Sequence, residues 1–274
     1  MGKLYVCGTP IGNLEDVSIR LLKTLRGVDM IACEDTRHSI KLLNRYKIKN
    51  KLISYHEHSG PDKESYILEQ LRIGGNIALI SDAGMPTISD PGESLVRHAI
   101  EAGIEVEVIP GPSACTAALA ISGLDSSSFI FVGFLPPRAG KRRDMLESLK
   151  EEKRTVILYE APHRLLKTLE DMEAILGAAR SITVARELTK IHQEVRQGSV
   201  RDIKFHYTEH PPRGEICLLI PALGEEAKAA DLDQIVRETI ELIESGADKK
   251  EALKMKAIEY KVQKSTIYKM LIDK

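Results

Sequence analysis

Short apolar segments and amphipathic segments alternate along the first 220 residues, and this alternation restricts the fold more than any other feature of the sequence. A short apolar run between turn residues is typical of a buried strand, whereas apolar residues at three- and four-residue spacing are typical of a helix. Strands that alternate with helices predict an α/β protein with a mostly parallel sheet covered by helices. Strands are expected at residues 4–7, 30–33, 52–55, 77–81 and 106–109 in a first block, and at 129–134, 155–159, 182–186 and 215–220 in a second block.

Helical patterns occupy most of the intervals between these strands. Apolar residues recur at helical spacing near residues 14–28, 38–46, 62–73, 93–102, 113–122, 143–151 and 164–176. The two blocks predict two domains, an N-terminal α/β domain over residues 1–115 and a second α/β domain over residues 116–223. The stretch between the eighth and ninth strands is less regular, and no element is predicted there.

Three further helical signals follow a linker-like stretch at residues 224–230 and predict a small helical module over residues 231–274. The signals lie at residues 232–243, 251–260 and 266–272, and Ser265 can cap the third one. A helix, a short turn and a Ser-capped helix resemble a helix-turn-helix. The alternative is a helical brace that packs on the main body.

The charge of the chain is nearly balanced, with a formal net charge of −1 at pH 7. A protein that binds RNA through bulk charge would be more basic, so any RNA contact must come from local patches. One candidate patch contains Arg138, Lys141, Arg142 and Arg143. The other is the tail from Lys249 to Lys274, where eight lysines outnumber three acids. The alternative for both patches is a solvated helix face.

The four cysteines, Cys7, Cys33, Cys115 and Cys217, are far apart and have neither zinc-binding nor redox spacing. We interpret them as small core residues of a protein from a reducing compartment, and we expect a cytoplasmic location. The N-terminus leads directly into a strand pattern, without the features of a signal peptide. No apolar run reaches the roughly 18 residues of a transmembrane helix, so no membrane association is expected.

Three turns rich in glycine and proline each follow a predicted strand of the first block, at residues 7–13, 81–86 and 109–114. The carboxyl ends of parallel strands meet at one edge of a sheet, which is where ligands bind in such folds. Pro112 suits the first position of a helix, so the N–H groups of Ser113 and Ala114 are able to face a carboxylate or a phosphate. These turns predict a ligand site at this edge.

Several ligand classes are disfavoured by missing motifs. The sequence lacks the P-loop pattern, the G-x-G-x-x-G pattern after a strand, and the G-x-S-x-G nucleophile elbow. The histidines of His56-Glu57-His58 lie on one side of a predicted strand, but no further metal ligand is evident nearby. No metal site is therefore predicted.

Charged residues follow four of the predicted strands directly, at residues 34–38, 56–58, 159–164 and 186–190. Charges at the ends of buried strands are costly to desolvate unless they are paired or used in function. These segments are therefore candidates for a functional site. The alternative is that many of them form salt bridges between the domains.

Long motifs within these segments resemble the bacterial 16S rRNA (cytidine 2′-O) methyltransferases, which form a branch of the tetrapyrrole-methylase superfamily. The most specific are G-T-P-I-G-N-L-E-D (8–16), E-D-T-R-H (34–38) and S-D-A-G-M-P-T-I-S-D-P-G (81–92). Shorter ones, which the wider superfamily shares, include G-F-L-P (133–136), Y-E-A-P-H-R (159–164), A-R-E-L-T-K (185–190) and R-G-E (213–215). The resemblance covers about residues 3–222, and the basic tail is similar to the C-terminal module of that family.

The resemblance implies a homodimer whose subunits each fold into two α/β domains, with S-adenosylmethionine bound in the cleft between them. The residues that match the cofactor-binding positions of the superfamily are Pro10, Ser81, Asp82, Ala83, Gly84, Ile88, Ser89, Pro112, Ser113, Ala114, Tyr159 and Ala161. Met85 and Cys115 occupy variable positions and receive no role. The implied substrate is a cytidine ribose in 16S rRNA of the small ribosomal subunit.

Methyl transfer from a sulfonium to a 2′-hydroxyl is an in-line displacement that requires alignment and no metal. A hydroxyl is a poor nucleophile at neutral pH, so a positioned base should help by roughly 10²–10⁴-fold. The candidate bases, which the sequence does not rank, are Glu34, Asp35, His56, Glu160 and Glu187. The candidates for contacts with RNA phosphates are Arg37, Arg142, Arg143, Arg164, Arg186 and Lys190.

Two other functions compete with this interpretation. One is C-methylation of a tetrapyrrole by the same fold, although the basic tail and the E-D-T-R-H stretch favour RNA. The other is a non-enzymatic RNA-binding assembly factor that retains an inherited cofactor pocket. Cofactor binding without methylation of any RNA would favour the second.

Overall fold

The computed structural model describes residues 1–56, 59–223 and 232–260, together with residues 264, 267, 268 and 271. A first sheet consists of β1 (Lys3–Cys7), β2 (Met30–Cys33), β3 (Leu52–Ser54), β4 (Ile77–Ile80) and β5 (Glu105–Ile109). All neighbours are parallel, in the order β3-β2-β4-β1-β5. Every residue of β2 and β4 is buried, as expected for a parallel sheet that is covered on both faces. The predicted parallel sheet is confirmed.

Four helices connect these strands, namely α1 (Ile19–Gly27), α2 (Thr36–Arg45), α3 (Pro61–Arg72) and α4 (Glu93–Glu101). Side chains of neighbouring residues cap the N-termini of two of these helices. The Ser18 hydroxyl accepts a hydrogen bond from the Leu21 N–H at 3.0 Å, and the Asp35 carboxylate accepts one from the Arg37 N–H at 2.8 Å. The helices bury two apolar clusters against the sheet. Because the strands of this sheet are parallel, the loops at the carboxyl ends of β1, β2 and β4 meet at one rim of the sheet.

A second sheet is mixed rather than parallel. Its strands are β6 (Phe129–Phe134), β7 (Thr155–Glu160), β8 (Ser181–Arg186), β9 (Glu194–Ser199) and β10 (Ile216–Ile220). They are ordered β6-β7-β10-β8-β9, and only β6 and β7 run parallel to each other. The helix α5 (Ala114–Ser122) packs on one face, where Cys115 and Leu119 join Ile157, Leu188 and Leu219.

The other face of the second sheet is covered by α6 (Ala139–Leu149), α7 (Leu165–Leu176) and α8 (Val200–Glu209). Both β9 and α8 lie where the sequence predicted no element. β9 is an edge strand with only partly buried side chains, so its polar sequence lacks a clear apolar pattern. α8 does carry a start signal, because the Ser199 hydroxyl accepts a hydrogen bond from the Asp202 N–H at 3.1 Å.

Arg142 belongs to the interior and not to an exposed basic patch. Its side chain is only 7% exposed and donates to Asp171, with an Nε–Oδ2 distance of 2.7 Å. Arg143 donates to the other carboxylate oxygen at 2.7 Å, so two arginines of α6 hold one acid of α7. The expectation that Arg142 contacts RNA is corrected, because a buried, paired guanidinium cannot reach a phosphate.

The C-terminal residues form a small unit with its own apolar core. It contains α9 (Leu232–Glu244) and α10 (Lys249–Glu259), and its core includes Ile235, Leu253, Tyr260 and Ile267. The Tyr260 hydroxyl and the Lys256 ammonium donate to Glu238 at 2.5 and 2.7 Å. The predicted linker at 224–230 and most of the third helical signal at 266–272 lie outside the described residues. The choice between a helix-turn-helix and a brace stays a prediction.

Among the residues that the structure describes, no helix is both long enough and apolar enough to cross a membrane.

Candidate functional site

A cavity of about 380 Å³ opens between the rim of the first sheet and the second sheet. Loops from both sheets contribute to its wall, which brings together segments that are up to about two hundred residues apart in the chain. The residues that line it are Ile11, Glu34, Asp82, Ala83, Gly84, Met85, Ile88, Ser89, Asp90, Ser113, Ala114, Phe134, Tyr159, Glu160, Ala161, Pro162, Ala185, Leu188, Gly214, Glu215, Ile216 and Cys217.

The three glycine-rich loops of the first sheet form one interlocked rim. Thr9 and Gly84 exchange backbone hydrogen bonds, with N···O distances of 2.8 and 3.1 Å. The Thr9 hydroxyl also donates to the Ser81 carbonyl at 3.2 Å. Gly8 and Gly111 touch, since a Cβ on Gly111 would lie 2.6 Å from the Gly8 carbonyl oxygen. Glycine is required here because the two backbones are in direct contact.

One wall of the cavity is acidic. Glu34 follows β2, Asp82 follows β4, and Asp90 lies further along the same loop. Burial raises the pKa of Glu34 above its ordinary value, and the charge of Asp82 adds to this shift. Burial also raises the pKa of Asp90 to about 7, and Glu34 and Asp82 act in the same direction. A wall with several carboxyl groups and little solvent favours a bound cation.

The opposite wall is aromatic and apolar. The Tyr159 ring packs edge-on against Phe131 and Phe134, with centroid distances of 4.9 and 5.6 Å. The Tyr159 hydroxyl accepts a hydrogen bond from the Cys115 N–H at 3.1 Å, which ties β7 to the first turn of α5. Burial raises the pKa of Tyr159 well above its ordinary value, so the phenol stays neutral. Leu188 completes an apolar surface that suits a planar ring.

The chemistry of these walls fits the S-adenosylmethionine that the sequence resemblance implies. Its sulfonium and ammonium groups match the acidic wall around Asp82. Its carboxylate matches the N-terminus of α5, where Ser113 and Ala114 line the cavity and no side chain caps the helix. Its adenine matches the apolar surface beside Tyr159. Each chemical part of the molecule therefore has a suitable part of the cavity.

The residues that were predicted to bind the cofactor gather at this cavity. Its wall includes Asp82, Ala83, Gly84, Ile88, Ser89, Ser113, Ala114, Tyr159 and Ala161. Pro10 and Ser81 instead line a neighbouring cavity of about 230 Å³, which shares Asp82 with the main one. Pro112 lies behind the rim, where its carbonyl oxygen is near Gly84.

The predicted catalytic bases separate into different environments. Glu34 lines the cavity. Glu160 also borders it, but its carboxylate is fully buried and accepts hydrogen bonds from the Thr168 hydroxyl at 2.6 Å and the Ala161 N–H at 2.9 Å. Asp35 pairs with Arg37 at 2.7 Å, and these hydrogen bonds lower its pKa to about 2. Neither Glu160 nor Asp35 is well placed to take a proton.

Two further candidate bases lie outside the cavity wall. The Glu187 carboxylate accepts hydrogen bonds from the Lys190 ammonium at 2.7 Å and from the Glu215 N–H at 3.1 Å. His56 is absent from the residues that line the cavity in the described part of the chain. Glu57 and His58 lie outside the described residues, within which no three potential ligands are grouped around a metal position.

Most of the residues predicted to contact RNA are already paired within the chain. Arg186 donates to Glu194 at 3.0 Å, Lys190 to Glu187 at 2.7 Å, and Arg164 to the Leu135 carbonyl at 2.7 Å. These pairs lie within residues 116–223, so they are not the salt bridges between the domains that the alternative expected. Arg37 and Arg143 are also paired with acids, but they remain 89% and 62% exposed.

Several lining residues had received no role from the sequence. Asp90, Phe134 and Glu215 each lie inside a motif that marks the family resemblance, so the motif was noticed but not the side chain. Met85, which was set aside as variable, also lines the cavity. No local pattern distinguishes a residue that faces a cavity from its neighbours in the same loop.

A family model of tetrapyrrole (corrin/porphyrin) methylases matches residues 3–204. Two solved structures share the fold. A uroporphyrin-III C-methyltransferase from Thermus thermophilus has a TM-score of 0.58 at 19% identity, covering 82% of this chain and 96% of that one. The methyltransferase CobJ has a TM-score of 0.60 at 20% identity, covering 81% and 95%. At this identity the two structures show the fold alone.

Relatives at higher identity carry a different name, ribosomal RNA small subunit methyltransferase I. The protein from Synechocystis sp. is 44% identical and covers 100% of this chain and 98% of the relative. The protein from Thermotoga maritima is 50% identical over 220 residues, covering 80% of this chain and 98% of the relative. The protein from Bacillus subtilis is 42% identical and covers 98% and 93%. The chain therefore belongs to the tetrapyrrole methylases and, within them, to the family of the ribosomal RNA small subunit methyltransferases I.

Proposed function

We propose that this protein transfers a methyl group from S-adenosylmethionine to the ribose 2′-hydroxyl of a cytidine in 16S rRNA of the small ribosomal subunit. The observation that carries the proposal is one cavity with an acidic wall, a helix N-terminus and an aromatic wall, in a chain with near full-length relatives named for small-subunit rRNA methylation. The choice of cytidine and of the 2′-oxygen comes from the sequence resemblance.

The cofactor supplies an electrophilic methyl group on a positively charged sulfur. Asp82 and Glu34 would attract this charge, Ser113 and Ala114 would hold the carboxylate, and Tyr159 would pack against the adenine. Fixed backbone contacts between the loops hold these groups in place before the substrate binds, which favours an aligned displacement.

A local basic surface beside the cavity supports RNA as the substrate. Arg37, His38 and Lys41 lie on one helix, α2, and the last two line the small cavity that shares Asp82 with the main one. Phosphate contacts of this kind position an RNA strand, while its sequence is read in unpaired nucleotides. Such a local surface is compatible with the net charge of −1.

We extend the proposal to the assembly and the location. The chain divides into units over residues 1–115, 116–223 and 231–274, and it forms a homodimer, as the resemblance implies. It acts in the cytoplasm, where small ribosomal subunits are the substrate. The four free, buried cysteines agree with a reducing compartment.

The function is tested by incubating the purified protein with labelled S-adenosylmethionine and small ribosomal subunits from cells that lack the gene. We expect label in 16S rRNA, at one 2′-O-methylated cytidine that is absent from the untreated RNA. A porphyrinoid substrate tested in parallel should remain unlabelled. Label in the porphyrinoid and not in RNA would establish the tetrapyrrole alternative, and cofactor binding without labelled RNA would establish the assembly factor.

Substitutions at Asp82 and Arg37 should separate cofactor binding from RNA binding. Asp82→Asn removes a charge from the acidic wall, so we expect the cofactor Kd to rise by about ten- to a hundredfold, the worth of a charge-assisted hydrogen bond. Arg37→Ala should leave the cofactor Kd within twofold and weaken RNA binding by up to about fivefold at low salt. Calorimetry with cofactor alone and filter binding with RNA measure the two effects.

Arg154→Ala is a matched control for the arginine variant. Arg154 pairs with Glu152, two residues before it, as Arg37 pairs with Asp35, but Arg154 does not lie on α2, the helix that borders the small cavity. It should leave both affinities unchanged. An equal loss of cofactor affinity in the Asp82 and Arg37 variants would refute the division of roles.

Removing residues 231–274 should weaken the use of RNA and leave the cofactor site intact. The described C-terminal helices have a separate apolar core, and the Thermotoga maritima relative is shorter than this chain by about the length of this segment. We expect an unchanged cofactor Kd and a several-fold higher requirement for small subunits in methylation. Normal methylation by the truncated protein would show that the segment is only a brace.

A further inference from the structure

The reaction requires a group that takes the proton from the attacking hydroxyl, and the structure narrows the choice. Glu160, Asp35 and Glu187 are held by hydrogen bonds or cations within the chain. Asp90 lines the cavity and forms no salt bridge with the described residues. It is therefore an acid at the site whose carboxylate is not committed to a structural ion pair.

An unusual backbone conformation places Asp90 in the cavity. Thr87 and Ser89 have φ values of 73° and 63°, and Gly92, the N-cap residue of α4, has a φ of 129°. Residues other than glycine rarely have a positive φ, and those that do are concentrated at functional sites. The loop also reaches the second sheet, because a Cβ on Gly133 of β6 would lie 2.8 Å from the Ser89 hydroxyl. The contact of Ser89 with β6 and the positive-φ residues before and after Asp90 therefore fix the loop that carries it at the cavity wall.

The groups around Asp90 make its carboxylate a better base. Burial is the main cause and raises its pKa to about 7, with contributions from Glu34 after β2, Asp82 after β4 and Glu215 before β10. A hydrogen bond with Ser81 opposes this shift and lowers the pKa. A carboxyl group that exchanges its proton near neutral pH suits general base catalysis.

Glu34, another acid that lines the cavity, is held more tightly. The backbone of Asp82 hydrogen-bonds to the Glu34 carboxylate and lowers its pKa, against the effects of burial and of the Asp82 charge. Glu34 lies at the end of a buried strand, whereas Asp90 lies on the loop that spans to the second sheet. Glu34 is therefore placed to raise the pKa of Asp90, and Asp90 is placed to contact the incoming ribose.

We propose that Asp90 is the general base that accepts the proton of the ribose 2′-hydroxyl, a role that rests on the proposed function. The oxygen–methyl bond forms as the sulfur–methyl bond breaks, and the sulfur keeps the electron pair of the broken bond. The hydroxyl proton passes to the Asp90 carboxylate and later to solvent. Because the transfer removes a positive charge from the cavity, Asp90 becomes more basic as it receives the proton.

Asp90→Asn tests the role by its rate and its pH profile. At saturating cofactor, the unchanged enzyme should methylate small subunits in a single turnover at a rate that rises with pH and levels off below about 7, because the bound cation lowers the pKa of Asp90 from its ligand-free value. The variant should be slower by about 10²–10⁴-fold and should lose this pH dependence. Glu34→Gln should shift the rise to lower pH, because it removes a negative charge that raises the pKa of Asp90. Glu93→Gln, an exposed acid in the first turn of α4, is the matched control.

Two measurements without catalysis accompany the rates. Cofactor affinity, measured by calorimetry, should increase as the pH rises through about 7 in the unchanged protein, because an ionised Asp90 attracts the cation, and should do so less in Asp90→Asn. In the ligand-free protein, the raised pKa means that ionised Asp90 costs stability progressively from about pH 4 to about pH 7. The melting temperature of Asp90→Asn minus that of the unchanged protein should therefore be larger at pH 8 than at pH 4.

The outcomes distinguish this role from the proposed function. If the unchanged enzyme methylates RNA and Asp90→Asn keeps a rate within threefold with the same pH profile, Asp90 is not the base. If the pH dependences of affinity and of melting do not differ between the two proteins, Asp90 does not titrate in this range, and the role is also overturned. If the unchanged enzyme fails to methylate small subunits, the proposed function fails first, and the role of Asp90 fails with it.

Discussion

Asp171→Ala is expected to lower the free energy of unfolding by about 3–5 kcal/mol, because it leaves the Arg142 guanidinium buried without its partner. Both side chains are almost fully buried, at 7% and 5% exposure, and the carboxylate accepts hydrogen bonds at 2.7 Å from Arg142 and Arg143. The loss should also loosen α6 from α7, which Arg142 and Asp171 connect. Urea denaturation at pH 7, followed by circular dichroism, measures the change.

The pH dependence of stability provides a second readout at the same pair. Burial raises the pKa of Asp171, but hydrogen bonds from Arg143 and Arg142 outweigh burial and lower the pKa below 3.8. A lowered acid pKa stabilises the folded protein above pH 3.8, and this contribution disappears as the pH falls through the folded-state value. The difference between the unchanged protein and the Asp171 variant should therefore shrink under strongly acidic conditions.

Two variants test whether the buried, unpaired charge of Arg142 causes the loss of stability in Asp171→Ala. Asp144→Ala removes an exposed acid from the same helix as Arg142 and should change stability by less than about 0.5 kcal/mol. Replacing both partners, as Arg142→Met with Asp171→Leu, should recover most of the loss, because no unpaired charge then remains inside. A double variant as unstable as Asp171→Ala would contradict this explanation.

Gly111→Ala is expected to weaken cofactor binding by roughly 5- to 150-fold, which corresponds to the 1–3 kcal/mol cost of overpacking. The new Cβ would lie 2.6 Å from the carbonyl oxygen of Gly8, so the loops after β1 and β5 must separate. Backbone cannot rotate away as a flexible side chain can. The displaced loop precedes Ser113 and Ala114, so the change should act directly on the end of α5 that faces the cavity.

Gly140→Ala is the matched control for this substitution. Gly140 lies in α6, and a Cβ there meets no atom of the described structure within 4 Å. The change should leave the cofactor Kd unaffected and slightly raise stability, since alanine favours helix more than glycine does. Calorimetry on both variants compares them directly. Tight cofactor binding by Gly111→Ala would show that the contact between the two loops does not shape the cavity.

The environment of each acid, rather than its position in a motif, separates structural from chemical roles at this site. Glu160, the last residue of β7, and Asp90, on the loop between β4 and α4, both border the cavity. Glu160 is surrounded by donors from Thr168, Ala161 and Arg164, which stabilise its charge. Asp90 is surrounded mainly by other acids, which destabilise its charge and leave it ready to accept a proton.

The sequence by itself determined the strands of the first sheet, their parallel arrangement and the rim where the cavity lies. These features depend on local information. Buried strands such as β2 and β4 are continuous apolar runs, Gly8 and Gly111 mark a place where two backbones touch, and Gly84 has a positive φ of 84°. The family resemblance rested on the same loops, because their conformation constrains their sequence.

Tertiary structure alone decided the order of the second sheet, the burial of Arg142 and the exposure of Asp90 to the cavity. β10 lies between β7 and β8, although β8 follows β7 directly in the chain, and no local pattern encodes that insertion. Arg142 meets Asp171 across 29 residues, and Asp90 meets Glu34 and Glu215 across much larger separations. Electrostatic energies depend on distance in space and on burial, so the role of a charged residue is set only when the chain has folded.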